Sequence, residues 1–436
     1  MRLTSERSHP LLYRWRILPA NATPDARRLL VARALRGFAD GVVSVVLASY
    51  LIDLGFSPVQ VGAIVTGTLL GSAALTLTVG LLGYRLDRRR LLLGACALMA
   101  ATGLGFAGVT DFWPLLVIAI AGTLNPSAGD VSVFLPTEQA LLPETVSARG
   151  RTALFARYNL AGTLAGAFGA LASGVPVALA ERQGWDLLTA QRSVFLLYAV
   201  VALLAAALYR GLSPALVRGL AGGRSLPLVH SRGIVLRLAA LFSLDSFGGG
   251  FVVQSILALW LFERFDLSVQ RVGTFFFVAG VLSAFSQLAA SRLAARIGLI
   301  NTMVFTHLPS NALLILAALM PSAPAAITCL LLRMSLSQMD VPARQSYVMA
   351  VVPPAERAAA ASVTNVPRSL AAALTPLLAG ILLSVSSFGW PLILGGVTKA
   401  IYDLLLLARF RSIRPPEEHD ARDDQPIVRS SKPQTP

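Results

Sequence analysis

The chain has 436 residues, 55% of them hydrophobic and only 14% charged, and a formal net charge of +15. A soluble globular chain carries about 25% charged residues, so this composition excludes an ordinary soluble domain and points to a chain solvated by lipid. On a soluble protein the positive charge would suit nucleic acid. Here the arginines fall between apolar runs, as the positive-inside rule describes for membrane proteins, and no nucleic-acid partner is expected.

Residues 1–28 carry six arginines and no apolar stretch. They read as a cytoplasmic tail rather than a signal peptide. Apolar segments of bilayer length follow at about 29–52, 58–82, 91–109, 112–138, 152–179, 188–209, 234–262, 270–291, 299–319, 323–350, 359–386 and 389–410. With the N-terminus inside, the inner connections hold Arg85, Arg88, Arg89, Arg90, Arg149, Arg151, Arg292, Arg296 and Arg357, whereas the outer ones hold Arg182 and Arg264. The expectation is an all-α membrane protein of twelve transmembrane helices with both termini cytoplasmic. It divides into a six-helix bundle at 29–210, a cytoplasmic linker at 211–233, a second six-helix bundle at 234–410 and a Pro-rich tail at 411–436, expected to be disordered. Cys96 and Cys329 lie in separate apolar runs without metal-ligand spacing, so neither a disulfide nor a metal site is expected.

The two bundles repeat each other. Ser57-Pro58-Val59-Gln60-Val61-Gly62 aligns with Ser268-Val269-Gln270-Arg271-Val272-Gly273 at an offset of 211 residues. Gly83 to Arg88 aligns with Ser291 to Arg296 at an offset of 208, and Asp130-Val131 with Asp340-Val341 at 210. Arg157 and Gly169 align with Arg368 and Gly380 at 211. Parallel repeats of this kind are a transporter plan with the substrate site between the halves.

The twelve spans, the repeat and the segment Gly83-Tyr84-Arg85-Leu86-Asp87-Arg88-Arg89-Arg90 resemble the major facilitator superfamily over roughly residues 29–410. The segment resembles that family's loop motif between helices 2 and 3, departing from it at Arg90. The resemblance implies an inner gate built from Gly83, Asp87 and Arg88, with Asp87 meeting the positive end of a facing helix and the arginines meeting Glu138. On that basis Asp87→Asn is expected to cut transport. Asp340-Val341-Pro342-Ala343-Arg344-Gln345 is also family-like, resembling segments of efflux members. The helix-4 arginine of drug–proton antiporters has no counterpart in Gly122-Thr123-Leu124-Asn125-Pro126, and helix 5 carries Gly162, Gly166 and Gly169 without the proline of the efflux motif.

Ionisable groups inside a membrane need a partner or a function. Arg36/Asp40, Asp340/Arg344 and Lys399/Asp403 are each spaced by four, on one helix face, and read as neutralising pairs. The last is expected to snorkel near the inner surface. Asp130 with Arg157, and its image Asp340 with Arg368, are candidate bridges between helices. Asp245 has no partner on its own helix and precedes Gly248-Gly249-Gly250, read as a flexible stretch. It is the first candidate for proton coupling, its Asn variant expected to lose gradient-driven transport. Asp40, tied to Arg36, is expected to titrate less freely. Asp130, Asp340 and Arg333 complete the candidate coupling and substrate cavity. His307 reads as a packed core residue.

These features favour a proton-coupled secondary transporter, exporting a small amphiphilic compound by alternating access from the inner membrane as a monomer. Uptake of a sugar or organic anion and a non-transporting sensor on the same fold remain alternatives. No ATP-binding loop of the Gly-x-x-x-x-Gly-Lys-Ser/Thr type occurs, no cofactor is expected, and four histidines do not make the cluster a membrane enzyme would need.

Overall fold

The computed structural model describes residues 23–82, 87–127, 133–147, 151–217, 230–353 and 356–411. Both tails beyond these limits, most of the linker, Gly83 and Asp130 lie outside the described residues. All regular structure among the described residues is helical. In the first half, α1 (Pro24–Asp53), α2 (Pro58–Leu82) and α3 (Arg88–Gly108) are followed by α4 (Phe112–Ala121) and α5 (Leu135–Leu141). Then come α6 (Arg151–Ala172), α7 (Val175–Gln183), α8 (Leu187–Arg210) and the short α9 (Pro214–Val217). The second half comprises α10 (Arg232–Gly250), α11 (Gln254–Phe265), α12 (Val269–Ile297), α13 (Leu299–Leu319), α14 (Ala323–Ser337), α15 (Asp340–Val351), α16 (Arg357–Val385) and α17 (Trp390–Phe410).

Local chemistry sets the starts. Ser57 and Gln60 exchange side-chain-to-backbone bonds of 2.9 and 3.4 Å, a capping box just ahead of α2, and Pro58 occupies the first helical position. The repeat partner Ser268 caps α12 through Arg271 N.

Among the described residues, ten helical stretches are long and apolar enough to cross a membrane. The expected spans 112–138 and 323–350 are not among them, because each is interrupted by a non-helical stretch. The first break follows Gly122, which is extended, and includes Asn125-Pro126. Proline disfavours the α conformation in the residue before it, and Asn125 Oδ1 accepts from the Ser127 backbone N–H and hydroxyl at 3.2 and 2.8 Å. The second break falls at Gln338-Met339, and Pro342 sits in the first turn of α15, where its missing N–H leaves no bond unmade.

Within the first half, α1 packs on α6 and α8, and α3 on α8. A Cβ on Gly41 would collide with the Gly166 carbonyl, so α1 and α6 touch backbone to backbone. Within the second half, α10 packs on α16 and α17, and α13 on α14, α15 and α17. The halves meet through α2 with α16, α6 with α12, and α1 with α11. This contact includes the end where α2 starts and α16 finishes. Gly62 and Gly380 lie so close there that a Cβ on Gly62 would stand 2.5 Å from the Pro376 carbonyl oxygen. Nearby, Leu377 donates its backbone N–H to Thr66 Oγ1 at 2.9 Å, and Ser255 donates its hydroxyl to the Ser44 carbonyl at 2.8 Å.

Candidate functional site: two buried ion clusters

The first half buries Glu138 completely. A carboxylate taken out of water needs a counter-charge and hydrogen bonds for its remaining lone pairs. Glu138 has both: it receives the Arg36 guanidinium, the Tyr158 hydroxyl and the Tyr209 hydroxyl, the last at 2.6 Å. Arg36 also lies over the Phe134 ring, 4.1 Å from its centre.

This arrangement corrects two expectations. The ion pair of Arg36 is with Glu138 rather than with Asp40 one turn along α1. Of the loop arginines, Arg85 lies outside the described residues, Arg88 pairs with Glu144 at 2.8 Å and Arg89 bonds the Leu212 carbonyl, so neither described partner is Glu138. Asp87 also has a local role. It is the N-cap of α3, accepting from Arg89 N and Arg90 N at 2.8 and 3.1 Å.

With Arg36 engaged elsewhere, Asp40 is a buried carboxyl that forms no ion pair among the described residues. Its hydrogen bond is with Asn125 Nδ2 at 3.5 Å, in the break after α4. Arg33, two turns nearer the start of α1 than Asp40, is buried and lies over Tyr158, with its Nε unsatisfied.

The second half brings side chains from three other helices to Asp245, which is 4% exposed. Lys399 of α17 donates to its Oδ1 at 2.6 Å, and Arg344 of α15 to its Oδ2 at 3.1 Å. Arg344 also holds Asp340 at 3.1 Å. His307 of α13 points its Nε2 at Asp245 from 3.9 Å and bonds Asp403 of α17 through Nδ1, at 2.9 Å to Oδ1. Asn311, one turn along α13, donates to Asp403 Oδ2 at 2.8 Å. Arg368 of α16 donates its Nε to Ser246 Oγ at 2.8 Å.

Two further expectations are thereby revised. Lys399 and Asp403 do not pair with each other at the surface; both are buried and turn to different helices. His307 is buried in the core as expected, and its partners there are the acids of the ion cluster. Gly248 to Gly250 is a site of close packing rather than a flexible stretch. A Cβ on Gly248 would stand 2.8 Å from Lys399 Cγ, and one on Gly250 would meet Thr375 and Ala372 of α16. The glycines make room for Lys399 to reach Asp245. Three glycines within two turns of a buried acid are the signal that could have located the lysine.

The remaining candidates are more dispersed. Arg333 of α14 is half-buried, bonds Met334 Sδ at 3.2 Å, and leaves its Nε without a partner. Arg157 of α6 has a buried Nη1 without a partner; its expected partner Asp130 lies outside the described residues.

The family profile described as Major Facilitator Superfamily matches residues 29–366. The chain belongs to this superfamily. A relative of similar length is an uncharacterised membrane protein of Saccharomyces cerevisiae, YJR124C, 26% identical over 431 residues, covering 90% of this chain and 95% of that protein. The xylose transporter XylE from E. coli, in an inward-open conformation, superposes with a TM-score of 0.71 at 15% identity, covering 91% of this chain and 99% of that one. The nucleoside transporter NupG superposes at 0.67 and 14% identity, covering 89% of this chain and all of that one. At these identities the structural likeness speaks for the fold. Superfamily and fold together make this a multi-pass membrane transporter rather than an enzyme.

Proposed function

We propose that this superfamily member is a proton-coupled secondary transporter of a small organic compound, with Asp40 as the proton-binding group. The observation that supports the reading is that Asp40, a buried carboxyl midway along α1 facing the break after α4, forms no ion pair among the described residues, with Arg36 and Arg33 acting on it only from beyond contact. A carboxyl held by no fixed cation can bind and release a proton without breaking a salt bridge. Asp245, by contrast, would first have to shed Lys399 or Arg344. Ser44, one turn beyond Asp40, joins the halves through Ser255, so a change of charge at Asp40 lies close to the surface that must part during alternating access.

In this reading both termini are cytoplasmic and the protein works as a monomer in the inner membrane. The end of the molecule closed by Gly62 and Gly380 is then the outer one. Arg33, Arg157, Arg333 and Arg368 are the side chains proposed to meet substrate, Asp130 and Asp340 stand as secondary coupling groups, and export is the proposed direction. A toxic-compound panel on a sensitive strain, with and without the protein, identifies a transported compound and its direction. In proteoliposomes, Asp40→Asn then keeps exchange of that compound and loses transport driven by a pH gradient. Normal accumulation by Asp40→Asn, with the pH dependence of the parent protein, would overturn the assignment.

A further inference from the structure

The cluster around Asp245 contains a second titratable unit that proton coupling at Asp40 does not use. We propose that His307 and Asp403 form a separate proton-binding site in the second half of the transporter. The inference goes beyond the proposed function and does not depend on it.

Three carboxylates, Asp245, Asp340 and Asp403, lie within ion-pair distance of two fixed cations, Lys399 and Arg344, and of His307. Among the groups in direct contact the charges sum to zero when the imidazole is charged and to minus one when it is not; Arg333 of α14 acts on Asp245 and Asp340 from beyond contact, and not on Asp403. Asp245 and Asp340 each hold a fixed cation. Asp403 does not: its partners are His307 Nδ1 and the Asn311 amide. It is thus the carboxylate of the three whose counter-charge is itself titratable, and histidine is the side chain that ordinarily titrates near neutral pH.

Geometry gives the same result. The ring presents one nitrogen to each of two carboxylates, Nδ1 to Asp403 at 2.9 Å and Nε2 to Asp245 at 3.9 Å. A neutral imidazole has one N–H to donate, whereas an imidazolium has two. Loading forms one N–H bond, at the nitrogen facing Asp245, and release breaks it and returns the proton to water. The Nδ1 hydrogen bond persists in both states, so the titrating unit is the pair rather than either residue.

The surroundings from each packed element are accounted for. From α17 come Lys399, Asp403 and Tyr402, whose ring meets the imidazole edge-on with centres 6.1 Å apart. Asp245 comes from α10, and Asp340 and Arg344 from α15. Arg333 on α14 makes no ion pair among the described residues, but its charge acts on Asp245 and Asp340. Arg292 and Arg296 of α12 are exposed at the turn into α13.

The test reads protonation without needing the substrate. The chain has four histidines, His9, His230, His307 and His419. A variant carrying His9→Gln, His230→Gln and His419→Gln keeps His307 as its only histidine and leaves the cluster intact. Ring nitrogen-15 magnetic resonance of this protein in lipid nanodiscs, from pH 5 to 9, is expected to show one reversible transition. The transition runs between imidazolium and a neutral ring protonated at Nδ1. Asp403→Asn in the same background is expected to displace that transition by at least one pH unit, a tenfold change in proton affinity. Asp87→Asn, remote from the cluster, is expected to leave it in place. A ring that keeps one protonation state throughout, or a transition indifferent to Asp403→Asn, would overturn the proposal. Either result leaves the role of Asp40 standing, because no transport is measured. Loss of pH-driven transport in the parent protein would instead count against the function and not against this site.

Discussion

The two halves repeat in sequence but distribute buried charge in opposite ways. Arg36 of α1 and Asp245 of α10 are 209 residues apart, within the offset of the repeat, and carry opposite charges. Each finds its partner on the helical segment beyond the break, Glu138 of α5 in one half and Arg344 of α15 in the other. The architecture therefore preserves an ion pair at this place while its polarity reverses. The consequences differ. In the first half one acid, one arginine and two tyrosines close on each other, and Asp40 is left outside the pairing. In the second half the acids outnumber the fixed cations in contact with them, Asp245 takes two of these, and Asp403 is left to a histidine. A single buried cluster cannot be classed as structural or functional from its charges alone; what distinguishes them is which group ends up without a fixed partner.

The sharpest way to break the comparison is to remove Glu138. Glu138→Ala leaves Arg36 buried without its counter-charge and strips two tyrosine hydroxyls of their acceptor. Breaking a buried pair by deleting one partner costs about 3–5 kcal/mol. The expected outcome is a loss of folded protein in detergent, read as a large fall in midpoint temperature. The paired change Arg36→Met with Glu138→Gln removes both charges and is expected to recover most of that loss.

The corresponding pair of changes in the second half sharpens the contrast. Asp245→Asn leaves Lys399 buried beside a neutral group and is expected to lower the folded yield several-fold. Adding Lys399→Met is expected to restore yield. It should not restore normal pH dependence if the cluster around His307 binds a proton, because two of the charges around that ring have gone. Equal recovery of yield and of pH dependence in both halves would show that the clusters are equivalent struts. Asp40→Asn differs from all of these. With no fixed cation to abandon, it is expected to change the midpoint temperature little while removing gradient-driven transport.

The junction between halves offers a steric test. Gly62→Val places methyl groups where the Pro376 carbonyl stands 2.5 Å from a Cβ position. Backbone on the opposite side cannot yield as a side chain can, so the closed end is expected to be held apart. Labelling of Thr66→Cys by a thiol reagent, slow in the parent, is expected to accelerate several-fold, with transport falling in parallel.

Much of the fold was legible because bilayer thickness and backbone hydrogen bonding leave a spanning chain few options. Apolar length, the repeat anchors and capping residues such as Ser57 and Ser268 are local signals. The breaks at Asn125-Pro126 and Gln338-Met339 were less visible, since the runs around them are apolar enough to read as single spans. The pairings were the least legible part. Spacing of four along a helix correctly brings Asp340 to Arg344, yet it also suggests Arg36 with Asp40 and Lys399 with Asp403. In both of those cases an acid on another helix takes the cation, Glu138 for Arg36 and Asp245 for Lys399. Sequence spacing registers neighbours on one helix and is blind to that competition. The same blindness hid His307, whose partners are 62 and 96 residues away.

The smallest expected effect concerns Asp87, and it separates a cap from a gate. As a charge reaching to a facing helix, Asp87 would be spoiled by loss of its charge alone. As the N-cap of α3 it accepts two backbone N–H groups of the first turn, and asparagine caps about as well as aspartate. Asp87→Asn is therefore expected to leave midpoint temperature and transport near those of the parent. Asp87→Ala, which removes the acceptor, is expected to cost about 1 kcal/mol, with a matching fall in midpoint temperature. If instead Asp87→Asn abolishes transport while the fold persists, the charge acts across helices in a state of the cycle other than this one. The cap would then describe only the resting end of its motion.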